Sequence, residues 1–219
     1  MKKMKSTITS ISLIGSLFCM LSILGCNSRQ SENVQSESDE TEVTAAGERT
    51  ATKYFYINSP NNEGLAEIRL EEGQTLIQTP DKQYFGLLKE DKRKYYDAYD
   101  AVQFVIKYKE DGFKLRNHEE NLLWKVKYKE GRIKIADNEE MTNAFEMKMK
   151  EGGRIKIEQN DEEVLSLRLS SGNSDAKRIG DKYLLRGFDA SLTPAILMID
   201  PLKETEKFIL IAELLRRGK

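Results

Sequence analysis

Apolar and polar residues alternate with a period of two along most of the chain after residue 52. The alternation is clearest at Trp124, Val126 and Tyr128, and again at Met147 and Met149. Successive side chains of a β-strand point to opposite faces, so this period predicts half-buried strands. From residue 102 onwards the segments are joined by short turns rich in Gly, Asn, Asp and Glu. Such turns favour an antiparallel meander.

Earlier and later segments extend the same pattern, whereas Lys89–Asp100 is ambiguous between a short helix and an irregular loop. Further strands are predicted at Lys53–Ile57, Leu65–Leu70, Thr75–Gln78, Tyr84–Leu88 and Tyr183–Arg186. The total is about ten to twelve strands, which is too many for a flat sheet with exposed edges. The sequence therefore predicts a mainly β protein whose meander closes into a barrel or forms two packed sheets.

The pattern changes near the C-terminus, where Phe208–Leu215 is apolar except for Glu213. Asp200 as N-cap and Pro201 at the first helical position predict a helix start, and Arg216, Arg217 and Gly218 predict its end. A helix that is apolar on nearly every face requires burial all round. We therefore expect this helix to form the core of the β structure.

Many short meander strands followed by an apolar C-terminal helix resemble the tubby C-terminal-like fold, which tubby, phospholipid scramblase and LURP-one-related domains share. The resemblance covers about residues 52–217 and rests on pattern and element order. It implies a barrel around a helix. Tubby proteins bind phosphoinositides and scramblases act on lipids, but their functional motifs have no counterpart here. No site residue is therefore transferred.

The first 26 residues have the layout of a secretory signal peptide, with a basic start, MKKMK, and an apolar stretch over residues 8–24. The stretch ends in Leu24, Gly25 and Cys26 after Ile23, which resembles the lipobox of bacterial lipoproteins. The resemblance implies cleavage after Gly25 and lipidation of Cys26. Two or more acyl chains anchor a protein stably, at about 0.8 kcal/mol per buried methylene. An uncleaved anchor and an ordinary secretory signal are the alternatives.

Three regions follow from these observations: a signal peptide at 1–25, a lipidated Cys26 with an acidic tether to residue 51, and one β-rich domain at 52–219. The tether sequence is rich in Ser, Glu, Gln and Thr and has little to bury, which predicts disorder. The expected location is a membrane, on its exported side, either periplasmic or at the cell surface. The sequence does not distinguish an inner from an outer membrane.

Residues for common catalytic and metal chemistry are scarce. The chain has one histidine, His118, in an acidic turn, and two cysteines, Cys19 and Cys26, both in the leader. Nucleophilic catalysis needs a nucleophile beside a base, and neither a Cys–His pair nor a Gly-x-Ser-x-Gly motif is present. The acidic turns lack the ligand spacing of a calcium-binding EF-hand loop. We therefore predict no catalytic residue, metal site or cofactor.

Basic side chains occupy the strand face opposite the apolar one. Lys and Arg total 35 against 36 Asp and Glu, so net charge gives no reason to expect a nucleic-acid partner. The basic face could instead meet anionic lipid or glycan. Alternatively, its lysines solubilise the sheet and pair with the acidic turns. The candidate binding residues are Lys107, Lys109, Lys125, Lys127, Lys129, Lys148 and Lys150.

The sequence thus favours a membrane-anchored envelope lipoprotein with a non-enzymatic binding or structural role. Its expected partners are the membrane, through the lipid anchor, and an anionic lipid or glycan. A protein partner is not specified. The alternative is an enzyme that acts on lipid or glycan through a pair of carboxylates brought together by the fold.

Overall fold

The alternating segments pair into a closed antiparallel barrel of 14 strands. The computed structural model describes residues 51–129, 131–171 and 176–219. The first seven strands are β1 Lys53–Asn58, β2 Gly64–Leu70, β3 Gln74–Gln78, β4 Gln83–Lys89, β5 Lys92–Tyr96, β6 Val102–Lys109 and β7 Gly112–Asn117. The others are β8 Leu122–Lys129, β9 Arg132–Ala136, β10 Phe145–Lys150, β11 Arg154–Gln159, β12 Glu162–Ser171, β13 Ala176–Ile179 and β14 Tyr183–Arg186.

The predicted meander is confirmed, because each strand pairs with its neighbours in sequence and β1 pairs with β14 to close the sheet. Closure removes the exposed edges that a sheet of this size would otherwise have. Of the two predicted architectures, the barrel is the one observed. The strand number is higher than predicted, since β5 and β13 had not been recognised as strands.

Alternation places the apolar residues inside the barrel. Val126 of β8 lies opposite Phe113 of β7 and Ile135 of β9, and all three are buried. Lys127, the next residue, lies opposite Lys134 on the outer face. The same inward and outward sequence continues through neighbouring strands and produces one continuous core.

The predicted C-terminal helix, α1, spans Glu204–Arg216. Every residue from Phe208 to Leu214 is buried, which amounts to nearly two helical turns with no exposed face. Such burial requires enclosure on all sides, and side chains of β3, β5, β6 and β8 contact the helix polar groups. The helix therefore lies inside the barrel.

The predicted helix start at Asp200 and Pro201 is wrong. Those residues form a turn, and Lys203 is the N-cap of α1. The carboxylate of Glu206 accepts a hydrogen bond from the Lys203 backbone N–H, at 3.1 Å, and so satisfies a donor at the helix start. The predicted end is confirmed, because α1 ends at Arg216 and Gly218 adopts a positive φ of 66°.

The chain passes through the barrel interior twice. After β14, a 3-10 helix at Thr193–Met198 has five buried residues, and α1 then returns in the opposite direction. The hydroxyl of Thr193 donates to the carbonyl oxygen of Lys219, so the start of the first passage lies beside the end of the second. Both passages contribute to the core.

The two ends of the barrel differ. We call the end where α1 terminates the barrel mouth. It carries the hairpins β2–β3, β4–β5, β6–β7, β8–β9 and β10–β11 and also the first residue of β1, Lys53. The other end carries longer loops whose charged residues are mostly acidic, including Asp97, Asp100, Glu119, Glu120, Asp137, Glu139, Glu140 and Asp161. We call it the acidic end.

The predicted signal peptide, the Cys26 lipidation site and the tether up to residue 50 lie outside the described residues. Among the residues that are described, no helix is long and apolar enough to cross a membrane.

Candidate functional site

A buried ion pair connects the interior helix to the barrel wall. Nε of Arg93 on β5 lies 3.2 Å from Oε1 of Glu213, and the two side chains are 3% and 0% exposed. Burial alone lowers the pKa of Arg93, but the Glu213 carboxylate and the Tyr108 side chain outweigh it and raise that pKa. The guanidinium is therefore charged, as a buried counter-ion for a carboxylate must be.

Two tyrosines complete this interior polar cluster. The Tyr95 hydroxyl donates to Glu213 Oε1 at 2.6 Å, and the Tyr108 hydroxyl donates to Oε2 at 2.7 Å. Burial and the adjacent carboxylate raise the pKa of both tyrosines, so their hydroxyls keep the proton that they donate. Both carboxylate oxygens of Glu213 are thus engaged. The cluster fixes the position and rotation of α1 in the barrel.

Gly86 of β4 makes room for the cluster. It lies opposite Tyr95, and a Cβ atom at this position would come within 2.7 Å of the tyrosine ring and 3.1 Å of Arg93 Cδ. The carbonyl oxygens of Gly86 and Gly73 each accept a hydrogen bond from Arg93 Nη1 at 2.9 Å. The missing side chain therefore lets Arg93 and Tyr95 share the same interior space.

Three further hydrogen bonds hold the ends of α1. Nε1 of Trp124 donates to Glu206 Oε2 at 2.7 Å near the helix start. Near the helix end, Nε of Arg216 donates to the Thr75 hydroxyl at 3.1 Å, and its Nη2 donates to the Glu71 carbonyl at 2.9 Å. Polar groups thus connect an otherwise apolar helix to the wall along its length.

The predicted basic strand face is present, but acids neutralise its central part. Lys107 lies 2.5 Å from Glu120, Lys125 lies 3.6 Å from Glu139, and Lys127 lies 3.2 Å from Asp111. The hydrogen bond from Lys107 has the largest effect on Glu120 and lowers its pKa. A lysine hydrogen bond likewise lowers the pKa of Glu139. These lysines can bind another anion only by leaving an acid.

The same holds around β10 and β11. Lys148 lies 2.6 Å from Glu158 and 3.4 Å from Glu146, and Lys156 lies 2.6 Å from Glu158. Hydrogen bonds from Lys148 and Lys156 lower the pKa of Glu158 to about 2. Glu146 and Glu158 interrupt the basic face where they lie opposite each other.

Cations without an acidic partner among the described residues occur at the mouth. Lys150 lies opposite Arg154, which lies opposite Arg168, so three exposed cations stand in one row across β10, β11 and β12. We call these three residues the mouth row. The Arg168 guanidinium reaches the β10–β11 turn, since Nη2 is 3.6 Å from where a Cβ of Gly152 would lie. Like charges in register repel one another. None of these three cations forms an ion pair with a described acid, although Glu151 lies in the same β10–β11 turn.

The structure therefore separates the seven candidate lysines. Lys107, Lys125, Lys127 and Lys148 form ion pairs on the barrel wall. The other three, Lys109, Lys129 and Lys150, end strands at the mouth. Of these, Lys129 also has an interaction partner. Arg154 and Arg168 join them there, and their row could have been found only from the strand register.

A pocket of about 290 Å³ also opens at the mouth, beside the end of α1. Its wall includes Tyr128, Arg132 and Ile133 of the β8–β9 hairpin, Met149 of β10 and Lys219. The mouth thus combines exposed cations with a concave apolar surface.

No family model, curated protein or solved structure matches the chain.

Proposed function

We propose that the chain is a bacterial envelope lipoprotein, anchored through Cys26, whose barrel binds an anionic lipid surface through the mouth. The role is non-enzymatic. The observation that carries the proposal is the mouth row, in which Lys150, Arg154 and Arg168 stand exposed and in register without a described acidic partner. The lipobox-like sequence before Cys26 supports the anchor.

Electrostatics favours the mouth over the barrel wall as the contact surface. A cation near an anionic bilayer contributes up to about 1 kcal/mol. A lysine that already binds a carboxylate must lose that contact first, so its net contribution is smaller. The mouth row has no such cost, and an anionic surface would relieve the repulsion among its three cations.

The chain direction also supports this orientation. β1 begins with Lys53 at the mouth, so the N-terminal end of the described barrel is on that side. The acidic loops, which anionic lipid would repel, are at the opposite end. A mouth-first approach therefore brings the mouth row towards the bilayer and keeps these longer loops away from it. The turns of the mouth hairpins also carry acids, namely Glu71, Glu72, Glu90, Asp91, Glu110, Asp111 and Glu151, so the attraction rests on the mouth row itself.

Vesicle co-sedimentation tests the proposal. Residues 47–219 form one compact unit that contains the whole closed sheet, so this fragment isolates the barrel from the anchor. We expect it to bind phosphatidylglycerol vesicles more than phosphatidylcholine vesicles at low salt. Binding should fade as added salt shortens the screening length from about 30 Å at 0.01 M to about 8 Å at 0.15 M.

A matched pair of triple variants locates the contact. Lys150→Gln with Arg154→Gln and Arg168→Gln should lose most of the binding. Lys107→Gln with Lys125→Gln and Lys148→Gln removes the same charge from the paired wall and should bind nearly as well as the unchanged fragment. Equal loss in both variants, or no vesicle binding at low salt, would refute the proposal. Binding to polyanionic glycan fragments instead of vesicles would assign the mouth to a glycan.

The alternative is a carboxylate-dependent enzyme acting on lipid or glycan. It would need two acids converging on an open pocket. The buried acids Glu206 and Glu213 are instead held by Trp124, Arg93 and Tyr95 inside the barrel. No described contact favours this second function.

A further inference from the structure

The pocket at the mouth has an apolar wall. Tyr128, Ile133, Met149 and Leu192 contribute ring, aliphatic and thioether surface to it. Met149 continues the apolar alternation of β10 after Met147, yet its side chain is 38% exposed whereas Met147 is fully buried. An apolar side chain that the barrel core does not cover is available to an apolar ligand group.

Cations surround this apolar wall. Lys129, Arg132 and Lys219 line the pocket, and none of its described lining residues is acidic. The Arg132 side chain is 58% exposed, and its contact to Glu146 is long, at 3.5 Å. The pocket therefore offers carbon surface inside and positive charge at its rim.

The segment after α1 is fixed beside the pocket. The Lys219 backbone N–H donates to the Leu214 carbonyl at 3.0 Å, and Thr193 donates to the Lys219 carbonyl. Lys219 Nζ lies 5.2 Å from the centre of the Tyr128 ring, within the range of a cation–π contact. The rim charge is thus built into the fold.

Two buried polar atoms, one on Tyr128 of the pocket wall and one on a residue near its ring, have no hydrogen-bond partner among the described residues. They are the Tyr128 hydroxyl and Nε of Arg217, whose guanidinium carbon lies 5.7 Å from the centre of the Tyr128 ring. Buried polar atoms without partners are uncommon in folded proteins and call for a physical explanation. An anionic group bound beside Tyr128 offers acceptors of the kind that both atoms lack.

We infer that this pocket binds a single alkyl chain that carries an anionic head group. The apolar wall takes the chain and the Arg132 and Lys219 cations take the head. A volume of about 290 Å³ is at the lower limit for ligand pockets, which fits one chain and not a whole two-chain lipid. The ligand is either a free fatty acid or one chain of an anionic membrane lipid. The inference shares the mouth with the proposed function but uses different residues, so each can fail alone.

Titration calorimetry on residues 47–219 tests it, with dodecanoate, dodecanol and dodecylammonium as probes below their aggregation concentrations. We expect dodecanoate to bind at least tenfold more tightly than the other two. Arg132→Gln should weaken dodecanoate binding about tenfold, and Ser191→Phe, which fills the pocket, should abolish it. Val164→Phe, in a pocket at the acidic end, is the matched control and should change nothing.

Vesicle binding distinguishes the two proposals, because Ser191→Phe should leave it intact while the mouth-row variant loses it. If Ser191→Phe does not fold, Met149→Glu at an already exposed position places a repelling charge in the pocket and should also prevent binding. Binding of dihexanoyl phosphatidylglycerol in place of dodecanoate would support the membrane lipid as the source. Equal affinity for dodecylammonium, or dodecanoate binding that both pocket variants retain, would overturn the inference.

Discussion

The carboxylate of Glu213 and the guanidinium of Arg93 meet inside the barrel, 3.2 Å apart and at most 3% exposed. The two residues come from α1 and β5, far apart in the chain. Each would be strongly unfavourable in this interior without the other, because a buried charge needs a partner to compensate for lost hydration. The barrel wall can therefore bury Arg93 favourably only when α1 places Glu213 beside it.

Removing one partner should destabilise the barrel strongly. Glu213→Leu leaves Arg93 charged and buried, and we expect a loss of about 3–5 kcal/mol in the free energy of unfolding, measured by urea titration. Adding Arg93→Met should restore part of this loss by removing the unpaired charge. Asp111→Asn, which breaks the exposed pair with Lys127, is the control and should cost less than about 1 kcal/mol. If Glu213→Leu costs no more than this control, the cluster does not hold the helix.

The acids of the barrel wall should make stability depend on pH. Contacts with Lys148 and Lys156 lower the pKa of Glu158 from its ordinary value of 4.5 to about 2. The folded state thus prefers the ionised carboxylate, so this stabilisation is present above pH 4.5 and is lost as pH falls towards 2. Unfolding free energies measured across this range should fall less steeply in Glu158→Gln. Parallel curves for that variant and for the unchanged protein would contradict the assignment, and Glu90→Gln serves as the control.

Lipidation can be tested on the full chain in a bacterial host. Mass spectrometry should find a mature protein that starts at Cys26 with acyl groups attached. Cys26→Ser should abolish this modification, whereas Cys19→Ser should leave it intact, because the bulky Phe18 precedes Cys19 where a lipobox has a small residue. An intact Met1 terminus or an unmodified Cys26 in the wild-type protein would exclude the anchor.

Local patterns were enough to predict most of the barrel. Alternating apolar residues located β8 and β10, and the all-round apolar stretch after Phe208 located the interior helix. β5 was not recognised because its inward positions are Arg93 and Tyr95, which look polar in sequence. Arg93 is buried only because Glu213 lies opposite it in the fold, and no local pattern contains that contact. The role of Gly86 could not be predicted either, because the side chains that it makes room for, Arg93 and Tyr95, lie beside it only in the folded barrel.

The candidate site was only partly predictable. Sequence alternation assigned the basic residues to the outer face, but it could not show which lysines bind an acid. Pairing depends on strand register and on loops such as Asp137–Glu140, whose Glu139 contacts both Lys114 and Lys125. The mouth row and the pocket likewise come from several hairpins that only closure of the barrel brings together.

The central claim, that the mouth faces the bilayer, can be measured with one fluorophore at each end of a single strand. Fragment 47–219 contains no cysteine, so Ser170→Cys at the mouth end of β12 and Glu162→Cys at its acidic end can each be labelled alone. The two positions are about 26 Å apart along an extended strand. On phosphatidylglycerol vesicles that contain a nitroxide lipid, we expect strong quenching of the label at position 170 and little at position 162. Equal quenching at both positions, or stronger quenching at position 162, would contradict a mouth-first contact.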